Sequence, residues 1–217
     1  DNNYGYVSLD EIAVFKHGKK ASITFNALPK DKSYAQKEGY TFFMEKEIYE
    51  QGAVVSETIM GRVKNHKVTL ENLDDEYLKG IDDVVLCACG TSYHAALVAS
   101  YLFERLAKVR TKVEVASEFR YRKPYLNKNS LFIVISQSGE TADTLEALRI
   151  AKEAGLKTLA ICNVDNSSIV RLADNTLLTR AGIEKGVAST KAFATQIIVL
   201  WMLVLQMASA KGSISKK

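Results

Sequence analysis

Residues 131–149 read LFIVISQSGETADTLEALR: an unbroken apolar run, a turn of small and hydroxyl side chains, then apolar residues at helical spacing. A strand apolar on both faces is covered on both sides, and a helix directly after it belongs to a crossover between parallel strands. The same rhythm recurs to either side. DVVLCA (83–88), KVEVAS (112–117), KTLAIC (157–162) and NTLLT (175–179) are further strand candidates. Helices are expected from about Ser92 to Ala107, Thr141 to Ala154 and Ser189 to Ser209, with shorter ones near Phe119 and Ser168. The alternation predicts an α/β fold: a three-layer sandwich around a mostly parallel five-stranded sheet.

The amino-terminal part has another character. YVSLDEIAVF (6–15) and KASITF (20–25) alternate around a turn signal at Lys16, His17 and Gly18, which predicts a β-hairpin within residues 1–30. A polar stretch, PKDKSYAQKEG (29–39), precedes FFMEKEIYEQGAVVSETIMGRV (42–63), where Met44, Ile48, Val55 and Ile59 recur at helical spacing. Residues 31–75 are therefore read as a linker and helical connector, and residues 76–217 as the α/β domain.

The 217 residues are 47% hydrophobic and 25% charged, proportions that exclude a disordered chain, a collagen-like repeat and a disulfide scaffold. Cys87, Cys89 and Cys162 form an odd set inside apolar runs, as a reducing compartment allows, so the cytoplasm is expected. Asp1 is followed by polar residues, without a basic-then-apolar leader. Residues 81–217 carry 18 basic and 12 acidic side chains, a balance that favours an anionic ligand. AFATQIIVLWMLVLQMASA (192–210) is free of charge and long enough to span a membrane. Thr195, Gln196 and Gln206 interrupt it, and it stands where an α/β fold needs a helix apolar all round, so a buried helix is expected and no membrane.

Two strand-to-helix turns share one chemistry: CGTSYHAA (89–96) after DVVLCA, and SQSGETADTLEAL (136–148) after LFIVI. Each puts a glycine and several hydroxyls at the carboxyl end of a strand, before a helix whose first N–H groups lack partners, an arrangement that suits an anion. In an open parallel sheet such turns converge on one pocket near a topological switch. Ordinary capping is the competing explanation, since SGET matches a capping box with Ser138 facing Thr141. A third hydroxyl-bearing turn, GVASTKAF (186–193), tips the reading toward a phosphate-sized anion. Neither GxGxxG nor GxxxxGK[ST] occurs, which argues against a nucleotide.

Other signals read blandly. Cys87 and Cys89 have the spacing of a metal pair, but the histidines, His17, His66 and His94, and the lack of a second cysteine pair do not complete a ligand set, so buried thiols and no metal are expected. Cys89 is assigned to pocket lining, and His94 to the surface or an interface rather than to a catalytic base. EFRYRKPYLNK (118–128) interleaves basic and aromatic residues, yet it is short, and a solvated loop is expected rather than a nucleic-acid contact. Glu118 and Glu184 are isolated acids.

With CGTSY, ASEFRYRK, SQSGETADTLEALR, AICNV and GVASTKAFATQ in order, residues 40–210 resemble the first sugar isomerase (SIS) domain of the glutamine–fructose-6-phosphate aminotransferase family. Residues 1–30 resemble the last strands of that family's glutaminase domain. The resemblance implies a flavodoxin-like fold, a homodimer, no cofactor, and fructose 6-phosphate or glucosamine 6-phosphate as ligand. It places Ser136, Gln137, Ser138 and Thr141 on the phosphate, with Thr91 and Ser92 nearby, and Cys89, Gly90, Val187, Ala188 and Ser189 along the sugar. It also implies that the glutaminase nucleophile and the second SIS domain, with its Schiff-base lysine, fall outside these residues. Lys191 does not match that lysine, no catalytic residue is assigned, and the chain alone is expected to be inactive. A sugar-phosphate-sensing regulatory SIS domain is the alternative, which would bring a DNA-binding helical module to the amino terminus.

Overall fold

The computed structural model describes residues 3–24, 36–122 and 124–214, so Pro29 and most of the polar linker lie outside the described residues. The chain divides into two compact units, Asp1–Ser33 and Tyr34–Lys217.

In the first unit β1 (Asn3–Val7), β2 (Ile12–Lys16) and β3 (Lys19–Ala21) form an antiparallel meander instead of the expected single hairpin. The first alternating run folds back on itself because Ser8 Oγ accepts the Asp10 and Glu11 amides and Ser8 N–H donates to the Glu11 carbonyl. The second turn is the expected one, with His17 at φ 49° and Gly18 at φ 77°, the left-handed pair that a two-residue hairpin loop needs.

The second unit opens with α1 (Phe43–Ile59), the short ribbon β4 (Val63–Lys64) and β5 (Lys67–Val68), and α2 (Asp75–Lys79). There follow β6 (Asp83–Ala88), α3 (Gly90–Leu102), β7 (Arg110–Val115), α4 (Ala116–Phe119), β8 (Ser130–Ser136) and α5 (Ala142–Glu153). The chain ends through β9 (Lys157–Cys162), α6 (Ser168–Leu172), β10 (Asn175–Leu178) and α7 (Lys191–Ala210). Two boundaries differ from expectation. The helix expected to reach Ala107 loosens into a π-helical turn at Phe103–Ala107, closed by left-handed Lys108, and Ala116 and Ser117 begin α4 instead of ending a strand.

The five-stranded sheet has the order β10-β9-β8-β6-β7, and its strands run parallel throughout. One face is covered by α3 and α7 through Ala95, Ala99, Leu200 and Leu203, the other by α5 and α6 through Ala147, Leu148 and Ile169, which makes the three layers. α7 lies in the core, where two of its three polar interruptions find partners, while Gln196 Oε1 is buried without one among the described residues. Gln206 accepts from Leu70 N–H at 2.9 Å and donates to Leu73 O at 2.9 Å, while Thr195 Oγ1 donates to the Lys191 carbonyl. Burying such groups with partners avoids the cost of an orphaned amide in an apolar layer.

α1 contradicts its sequence pattern. The expected apolar stripe is half in water, with Met44 41% and Ile48 45% exposed, while the buried face carries Lys46, Glu47, Val54 and Thr58. The reason lies in what that face meets: Lys191 Nζ at the start of α7 is 2.7 Å from Glu50, and the backbone before α7 donates to Glu47. Electrostatic complementarity, not apolar periodicity, chose the face.

Candidate functional site

After β6 the chain crosses to β7 on one side and then returns to lay β8 on the other, so the topology switches between β6 and β8. Ligands of open parallel sheets bind outside the strand carboxyl ends at such a switch. Both hydroxyl-rich turns leave from these two strands. Their register pairs Cys87 with Val134, and neighbouring strands lie ~4.8 Å apart, so the turns at Cys89–Ser92 and Ser136–Thr141 begin side by side.

The second turn is tied internally. Ser136 Oγ, buried, accepts the Gly139 amide at 3.0 Å and meets Thr141 Oγ1 at 3.3 Å, while Ser138 Oγ accepts the Glu140 amide at 3.2 Å. The competing capping box is absent: no side chain caps α5, and Glu140 instead accepts the Ser168 amide at 2.8 Å. No side chain caps α3 either. Both helices thus bring uncapped amino termini, each with the positive end of its dipole, to adjacent strand tips. Gly90, at φ 58°, has nothing within 4 Å of where a Cβ would stand, leaving open room beside the first turn.

The segment holding Val187, Ala188 and Ser189 is pinned at three places. At its start Asn163, just past β9, accepts from Thr179 Oγ1 and the Ala181 amide and donates to Gly182 O. In the middle Glu47 of α1 accepts the amides of Lys185 and Gly186. At its end Glu184 accepts the Thr190 amide at 3.0 Å, the Ala192 amide at 3.2 Å and the Ser189 hydroxyl. Glu184, isolated in the sequence, therefore caps α7, so this third turn lacks the uncapped helix start of the first two. Val187 and Ala188 stay exposed.

The SIS domain family matches residues 77–206. The chain belongs to the SIS domain family. It is 63% identical over 98% of its length to a glutamine–fructose-6-phosphate aminotransferase (isomerizing) from Campylobacter jejuni, of which it spans 36%. A Helicobacter pylori protein of the same name is 46% identical over 100% of the chain, which again spans 36% of that relative. Among solved structures, the C-terminal domain of glucosamine-fructose-6-phosphate aminotransferase from Francisella tularensis superposes with a TM-score of 0.79 at 46% identity, covering 83% of this chain and 51% of that one.

The remaining candidates of this SIS domain separate cleanly. Cys87 and Cys162 are buried, and burial pushes both thiols up from their ordinary range; Cys89 lies past the end of β6 at the start of α3 and is half-buried. Since the thiolate is the reactive form, iodoacetamide at pH 8 is expected to label Cys89 first, read by peptide mass spectrometry. Comparable labelling of Cys87 would contradict this burial pattern. Among the described residues no cluster of three or more His, Cys, Asp or Glu is placed for a metal. His94 is exposed and sits edge-on to Tyr93. In the basic stretch Arg120 pairs with Asp143 at 2.6 Å and Arg122 with Glu114, so both charges serve internal pairs. Phe119 packs on Phe132, whereas Tyr121 and Tyr125 face solvent.

Proposed function

We propose that this chain supplies the phosphate-holding part of a sugar-phosphate site in an enzyme that makes glucosamine 6-phosphate from fructose 6-phosphate and glutamine. The observation that carries the reading is the pair of uncapped helix starts at neighbouring strand tips across the switch. Ser138, Thr141, Thr91 and Ser92 with the α3 and α5 amides hold the phosphate dianion, and Ser136 and Gln137 shape the turn around it. Cys89, Gly90, Val187, Ala188 and Ser189 line the sugar. The names of the relatives supply the substrate and the aminotransfer chemistry. No residue here is assigned to proton transfer or Schiff-base formation, so the 217-residue chain holds the sugar phosphate without converting it.

The antiparallel strands at Asn3–Ala21 support the enzyme over a regulator carrying a DNA-binding helical module. Free cysteines support the cytoplasm. Exposed Phe42, Met44, Ile48 and Tyr49 on and beside α1 are the surface for a homodimer, while α7 is largely buried.

Calorimetric titration of fructose 6-phosphate against wild type and Ser138→Ala tests the site. Hydrogen bonds to a charged group are worth about 1.5–3 kcal/mol, so the variant is expected to bind about 10–100-fold more weakly. Equal affinities would remove Ser138 from the phosphate.

A further inference from the structure

Glu47 is a carboxylate with 3% exposure on a helix that otherwise takes no part in the sheet. Both its oxygens point at backbone. Gly186 N–H lies 3.0 and 3.1 Å from Oε1 and Oε2, and Lys185 N–H donates at 2.5 Å to Oε1. The approach is close enough that a Cβ on Gly186 would stand 2.5 Å from Glu47 Oε2. The next residue along the chain is Val187, followed by Ala188 and Ser189.

We infer that Glu47 is a positioning residue for the sugar-lining segment: its carboxylate fixes the backbone of Lys185 and Gly186 and thereby the placement of Val187–Ser189. The inference rests on the sugar-phosphate reading above and adds to it a residue from outside the sheet. Two consecutive amides converging on one buried carboxylate form a charge-assisted fork, which holds the backbone more tightly than a neutral acceptor. Backbone held this way has little freedom to turn the Val187 and Ala188 carbonyls and amides away from a bound sugar. Glu184 fixes the far end of the same segment, so Glu47 sets where the loop begins its approach and Glu184 where it ends.

The reading separates sugar from phosphate. Wild type, Glu47→Gln and Gly186→Ala would each be titrated with fructose 6-phosphate and, separately, with inorganic phosphate, while amide exchange is followed at positions 185 and 186. Glu47→Gln keeps the volume but turns an N–H group toward the backbone donors. Gly186→Ala pushes the loop off an intact carboxylate, so it addresses the role even where the first variant folds poorly. Expected are a loss of about tenfold for fructose 6-phosphate in both variants, inorganic phosphate affinity unchanged within about twofold, faster exchange at the two amides, and a double variant no worse than the stronger single one. Unchanged fructose 6-phosphate affinity in the variants overturns the inference, and so does a parallel loss of both ligands, which marks a role in the fold alone. A wild type that binds neither ligand removes the proposed function first, and the inference with it.

Discussion

Replacing Gly139 with alanine is expected to lower the unfolding free energy by about 2–5 kcal/mol and to abolish phosphate binding. Gly139 has φ 68°, a conformation that costs a residue with a Cβ about 1–2 kcal/mol. Worse, the added carbon would lie 2.0 Å from Ser167 Oγ and 2.8 Å from Cys162 Sγ, both buried, so the neighbours cannot step aside into solvent. Relief requires the turn to lift. That would break the 3.0 Å bond from Gly139 N–H to Ser136 Oγ and the bond from Ile169 N–H to Gly139 O, which dock the turn on β8 and α6. Urea unfolding with an inorganic phosphate titration checks both halves. A variant as stable as wild type would show that the turn is not locked as described.

The second large effect is at Glu50. Lys191 Nζ, whose side chain is 1% exposed, sits in the first turn of α7, where the helix dipole disfavours a cation, and Glu50 at 2.7 Å answers it. Glu50 is also 3.5 Å from Lys46 Nζ, which in turn lies 3.2 Å from Glu38. Removing one member of a buried ion pair strands the other, at about 3–5 kcal/mol; Glu50 keeps some solvent, so about 2–4 kcal/mol is expected for Glu50→Ala. Lys191→Met, which removes the buried charge itself, is expected to be within about 1 kcal/mol of wild type, and in combination with Glu50→Ala to recover most of the loss. Thermal or urea unfolding of the four proteins checks this, and a double variant as unstable as Glu50→Ala would contradict it.

How much of this was legible depended on how local each signal was. β6, β8 and β9 were readable because they are buried on both faces, so their apolar runs are uninterrupted. The strand-tip turns were readable because glycine and hydroxyls sit together within a few residues. Whether those hydroxyls cap their helices was not, since the sequence pattern SGET is identical for a cap and for the turn that forms, where Ser138 bonds only two residues ahead. α1 is legible as a helix, but the face it buries is not, because the partners of that face lie far along the chain: Gly186 is 139 residues from Glu47 and Lys191 is 141 from Glu50. Periodicity reports a helix's own apolar positions and carries no information about a distant cation or amide that needs a carboxylate. Glu184 lay within reach, six residues before Thr190, yet an acid ahead of a helix by way of a glycine loop matches no simple capping spacing.

The stretch that matches the SIS family, residues 77–206, omits α1 altogether, although α1 lies in the same compact unit as the sheet. A border drawn by family likeness would sever Glu47 and Glu50 from the loop and lysine they serve, leaving water in place of two carboxylates. For this chain the stretch of family likeness and the compact unit have different borders, and the helix ahead of the recognisable domain belongs to the latter.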